Sequence, residues 1–198
     1  MIFGRQKNIP KEILEVRLGE WYSGLSDQNK VKIRRYLEGS DTSSALNFTL
    51  FVMRNANQEE NHAAAIIAGE NILKDDDLEK IERFDVLEEI IPAYYGAGRY
   101  DDCLVCCEEG IWILTDIMEK IKKRNGGSLP EAIMCRNYTI NVLTGIRSDY
   151  DAGDAALERF YEIGLISKED LMYRKQSLKI HRLQRTFDSI YVLKFKDQ

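Results

Sequence analysis

Apolar residues recur along this chain at intervals of three and four, the spacing of one helical face. The clearest run is Tyr100, Cys103, Leu104, Cys107, Ile111, Leu114, Met118 and Ile121. Asp101 and Asp102 open it, and Lys120, Lys122, Lys123 and Arg124 crowd its end before Gly126 and Gly127. That polarity complements a helix dipole, so stripe and charge predict the same long helix.

The same grammar predicts further helices on both sides. One runs from Pro10 to Tyr22, with Ile13, Leu14, Val16, Leu18 and Trp21 apolar. A second, capped by Ser26 or Asp27, stops at Gly39, and a third follows Asp41 or Thr42 and carries Leu46, Leu50, Phe51 and Met53. The alanine-rich NHAAAIIAGENILK is a fourth. After the acidic KDDDLEK comes a fifth with Leu87, Ile90, Ile91 and Tyr94 on one face, in which Pro92 predicts a kink or a broken hydrogen bond. Beyond the long sixth helix, Ser128 and Pro130 open a seventh with Ile133, Met134, Tyr138, Ile140, Val142 and Leu143. An eighth places Ala156, Leu157, Phe160 and Ile163 together. Ser167 and Asp170 read as a capping box for a ninth, with Leu171, Leu178, Leu183, Phe187 and Ile190 as its buried seam. Within residues 189–196, YVLKF fits a strand as well as a helix.

Short connections between successive helices favour antiparallel neighbours. The expectation is one all-α domain over residues 1–198, built of stacked helical hairpins with residues 172–198 as a basic capping helix or tail.

The stretch AYYGAGRYDDCLVCCEEG, residues 93–110, reads as the turn of one hairpin. Gly96-Ala97-Gly98 is not a full dinucleotide fingerprint, and a helix precedes it where that fold needs a strand. Leu87 and Ile90 supply large residues on the first helix, Tyr94 and Tyr100 flank the turn, and small Cys103 and Gly110 follow on the second. On these residues the segment from Phe84 to Thr115 resembles one tetratricopeptide repeat. The resemblance implies an α-solenoid that binds a protein or peptide on a concave surface, here presenting Asp85, Glu88 and Tyr95. It also implies a peptide-gripping role for Asn137 and Asn141, which lie four apart on one helical face.

Composition narrows the chemistry. The net charge of −5 divides into +5 from Met172 onward and −10 before it. An acidic body with a basic end argues against a general nucleic-acid binder. It leaves three roles for the end: covering the acidic body, pairing two copies, or a local RNA or anion contact. MIFGRQKNIPKE has no apolar core of signal-peptide length, and no stretch approaches the roughly 18 apolar residues of a membrane span. Four cysteines without a secretory signal set the cytoplasm as the expected compartment.

Cys103, Cys106 and Cys107 share a helical face, so a thiol or metal centre completed by Cys135, His62 or His181 is the alternative reading. Cys103 and Cys107 lie on the apolar stripe, which favours core packing. Asp149, Asp151 and Asp154 lack the glycine and terminal glutamate of a calcium loop and read as capping and solvated acids. No catalytic motif, metal site or cofactor site is assigned. The expected function is a non-enzymatic interaction module.

Overall fold

The computed structural model describes residues 9–195. Among the described residues there are ten α-helices, one π-helical segment and no strand. The helices are α1 (Lys11–Glu15), α2 (Gly19–Gly24), α3 (Asp27–Arg34), α4 (Ala45–Gln58), α5 (His62–Ile72), α6 (Lys80–Gly96), α7 (Tyr100–Arg124), α8 (Met134–Ile140), α9 (Tyr150–Glu162) and α10 (Lys168–Phe195). The π segment, Asn141–Ile146, continues α8. None of the described helices is long and apolar enough to cross a membrane.

From α4 onward each helix packs on its successor, and α4, α6 and α8 also touch in series. One contiguous apolar core runs through them. Where hairpins cross, small residues allow close approach: a Cβ on Gly110 of α7 would stand 3.0 Å from the Cβ of Cys135 on α8.

Local chemistry explains the boundaries. The expected helix Pro10–Tyr22 is two helices, because Arg17 adopts φ 61° and Leu18 donates to the Ile13 carbonyl at 3.0 Å. Nine residues apart, Ile13 and Tyr22 would point to opposite sides of a continuous helix. The break turns both into the core. Ser26 caps α3 through Asn29, as expected, but that helix ends at Arg34, and buried Tyr36 and Leu37 sit in the turn before Gly39. The cap of α4 is Ser44, which accepts from the Asn47 N–H at 3.0 Å, while Asp41 folds its own turn onto Ser43. Ser167 does cap α10, accepting from the Asp170 N–H at 3.1 Å.

Two helices depart further from expectation. Helix α6 passes through Pro92 without ending, and the Asn57 side-chain amide docks on the Glu89 carbonyl at 2.8 Å in the turn that lacks the proline N–H. Helix α8 starts at Met134, beyond Ser128 and Pro130, and its α turns give way to π turns at Asn141. Along α10 the helix runs through YVLKF as far as Phe195, and Lys196 lies outside the described residues. Leu171 is buried and Leu178 packs on the core, but Leu183 and Phe187 are exposed. The expected seam is therefore confined to the first half of α10; the Ile190 side chain lies outside the described ones.

Candidate functional site

Helix α6 ends as the sequence predicts. Gly98 at φ 72° lets its own N–H reach Tyr95 O and the Arg99 N–H reach Tyr94 O, at 3.0 and 2.9 Å. This double bond pattern closes a helix around a left-handed glycine. Gly96, just before it, lies against the His62 ring, where a Cβ would come within 2.2 Å of Nε2. The glycines of residues 93–110 thus make a turn and a close contact.

Asp85 and Glu88 share a cleft of about 150 Å³ with Arg54, Glu89 and Arg124. Both carboxylate oxygens of Asp85 accept from Arg124 at 2.7 Å. Glu88 accepts from the backbone N–H groups of Met134 at 2.6 Å and Cys135 at 2.8 Å. Ile133 precedes α8 and offers no capping side chain, so Glu88 of α6 fills that role from another helix. Burial pushes the Glu88 carboxyl above its ordinary range, while the two N–H groups pull it back. Both acids are engaged within the chain.

Tyr95 stacks edge-on against Tyr138 of α8 and Tyr100 of α7, with centroids 4.9 and 5.5 Å away. Asn137 follows Arg136, a buried cation whose Nε reaches the Asn137 Oδ1 at 3.3 Å. The same guanidinium donates to the carbonyls of Leu165 and Glu131 at 3.0 and 2.5 Å, and burial depresses its pKa. Asn141 is exposed at the start of the π segment. The five expected residues therefore divide between the Asp85–Glu88 cleft, the tyrosine cluster and one edge of α8.

A larger and more apolar concavity than the Asp85–Glu88 cleft lies elsewhere. A groove of about 550 Å³ runs between α7 and α9. Leu104, Val105 and Ile111 form one wall, Ala152, Ala155, Ala156 and Phe160 the other, and Thr139 and Leu143 the floor. Glu108 and Arg159 pair across it at 2.6 Å. Val105 is 67% exposed, and Trp112 farther along α7 is 60% exposed with Lys80 Nζ 5.2 Å from its ring centroid. Thr139 and Leu143 come two residues after Asn137 and Asn141, hence the groove is on the opposite side of α8. Sequence reasoning missed it. The available signal was Val105 and Trp112, two apolar residues seven apart that lie outside the predicted stripe of α7.

No family model, no curated protein and no solved structure matches the chain.

All four cysteines are buried as free thiols. Burial pushes Cys106 up to about 12 and Cys135 higher still, the latter helped by the neighbouring Glu88 charge. Cys107 donates its proton toward Cys103, which raises Cys107 and lowers Cys103. Among the described residues no three His, Cys, Asp or Glu side chains are placed to hold a metal ion. His181 bonds Tyr150 at 3.0 Å on α9. Asp149 caps α9 through the Ala152 N–H, while Asp151 and Asp154 pair with Arg182 and Lys175 of α10 at 2.8 and 2.9 Å.

Proposed function

We propose that this chain is a tetratricopeptide-like array of helical hairpins that binds another protein by seating a peptide segment in the α7–α9 groove. The observation that carries this is the groove itself: an open apolar channel between two helices whose inner faces belong to one contiguous core. Its volume lies in the range of specific binding pockets. The alanine wall of α9 admits the backbone of a docked segment closely, and Val105 and Leu104 supply apolar contacts over buried Phe160. An amphipathic helix with apolar residues at i, i+3 or i+4, and i+7 is the fitting ligand. The Glu108–Arg159 pair would guide orientation at the rim.

The serial contact of α4, α6 and α8 supports the hairpin-array reading. Tyr95, Asn137 and Asn141 line the other side of α8 and define the competing surface for the same kind of partner.

Peptides selected from a random display library on the wild-type protein test the assignment. Binders lost on Val105→Glu and retained by Asn137→Ala with Asn141→Ala place the site in the groove. The reverse pattern moves it to the α6–α8 side. A library that returns no binder sinks the interaction-module reading.

A further inference from the structure

Helix α10 has two faces, and the one turned away from the body is the apolar one. Leu171, Leu178, Lys175, Arg182 and Arg185 turn toward the body, where Lys175 meets Asp154, Arg182 meets Asp151 and Arg185 donates to Gly145 O at 3.0 Å. About half a turn around the helix stand Met172, Tyr173, Ile180, Leu183 and Phe187, each between 50 and 70% exposed. A solvated helix normally carries its polar residues there. Among the described residues nothing covers this face, which leaves it open to a second molecule.

The order of the stripe identifies that molecule. Along the outward face the residues run Tyr173, Gln176, Ile180, Gln184, Phe187. The glutamines lie four residues to either side of Ile180 and the aromatics seven. The row therefore reads aromatic, amide, aliphatic, amide, aromatic in both directions. Turned about a two-fold axis at Ile180, this row meets itself in register, with Leu183 beside it opposite Ser177. We propose that α10 pairs antiparallel with α10 of a second copy of this chain, with the axis passing at Ile180. Ile180 then meets its own counterpart, each Gln176 faces a Gln184 with amides free to bond reciprocally, and each Tyr173 packs on a Phe187.

Charge and area agree with this occupant. None of those five positions is Asp, Glu, Lys, Arg or His, so the paired copies bring no like charges together along the row. An anionic membrane is a poorer match, because the row itself carries no basic residue and the chain before Met172 carries −10. The five large apolar side chains of the outward face are each at least half exposed, so pairing has apolar area to bury on both copies. The stripe faces away from the body, so the two bodies lie on the outer sides of the helix pair.

Sedimentation velocity over a concentration series is the test, on the full chain. The wild type should show a concentration-dependent shift to twice the monomer mass. Ile180→Asp should weaken association at least about 100-fold, since two carboxylates would meet on the axis. Ile180→Lys should do the same, and mixing the two variants should restore pairing. Ile180 is exposed, so neither change should disturb the fold; circular dichroism checks this, and Ile180→Cys offers a milder probe. Ile180→Cys should form an intermolecular disulfide with itself under oxidation. Gln176→Cys and Gln184→Cys should cross-link with each other when mixed and much less when alone. A wild type that stays monomeric throughout overturns the proposal, and so does a dimer indifferent to Ile180→Asp. Self-cross-linking of Gln176→Cys at least as fast as the mixture overturns the antiparallel register. Capture of a monomeric wild type by phosphatidylcholine–phosphatidylserine vesicles, abolished by Ile180→Asp, would overturn it in favour of a lipid surface.

Discussion

The carboxylate of Glu88 accepts the backbone N–H of Cys135 at 2.8 Å, so a side chain on α6 caps a helix that begins 46 residues later at Met134. Ordinary caps come from the residue just before the helix. Here the cap also joins two hairpins, and the start of α8 depends on where α6 stands.

Truncating that cap should be costly. Glu88→Ala leaves two buried-end N–H groups without their acceptor and should lower stability by about 2–4 kcal/mol, from about 1–2 for each lost bond. Glu88→Gln keeps one acceptor oxygen and should cost about half as much. Urea unfolding of both variants checks the order; equal costs for the two would show that shape, and not the acceptor, matters.

The same residue should give stability a pH signature. Burial raises the Glu88 carboxyl in the folded chain above its unfolded value. Between those two values the folded state binds more protons than the unfolded one, so stability falls as pH rises through that window. The contribution is fully present below the ordinary glutamate range and lost above the raised value. Wild type minus Glu88→Gln, measured by thermal unfolding at stepped pH, should decline across the window; a difference that grows with pH would contradict the direction.

Thiol chemistry should be suppressed in the native state. Cys106 is pushed up to about 12 by burial, Cys107 and Cys135 are raised too, and Cys103 is fully buried despite its lowered value. The thiolate is the reactive form, so dithionitrobenzoate at neutral pH should find almost no thiol in the native chain and all four after unfolding in guanidinium. Rapid native labelling of even one cysteine would revive a thiol-centred reading.

Gly96→Ala should destabilise by about 1–3 kcal/mol, because its Cβ would meet the His62 ring at 2.2 Å. Combining it with His62→Ala should recover part of the loss. A double-mutant cycle with zero coupling would place the strain elsewhere.

The elements readable from sequence were those whose causes are local. The α7 stripe, the Gly98 turn and the serine caps of α3 and α10 each depend on residues within a turn or two, and each formed where the pattern placed it. The break at Arg17 was invisible because it is driven by burying Ile13 and Tyr22 together, a tertiary demand. The late start of α8 was hidden because its cap comes from Glu88. Of the expected site, Asp85 and Glu88 line a small cleft where both are bonded within the chain, and their partners Arg124, Met134 and Cys135 are 39 to 47 residues away. The α7–α9 groove required two helices to be seen side by side. In α10, Leu183 and Phe187 fit a heptad pattern equally well for an inward or an outward partner, and only the fold distinguishes the two.

The π turns at Asn141–Ile146 carry a consequence for how this chain can change length. A π turn holds about one residue more than an α turn over a similar rise, so this part of α8 contains, in effect, an inserted amino acid. Its exit is tied back by Arg147 N to Val142 O at 2.9 Å and Asp149 N to Leu143 O at 2.8 Å, just before α9 begins. Losing a single codon within the segment would let the helix regularise, and everything downstream would swing by about 100° around it. The far wall of the groove would swing with it, so a one-residue indel here acts as a change of shape where the same indel in an exposed loop would pass unnoticed.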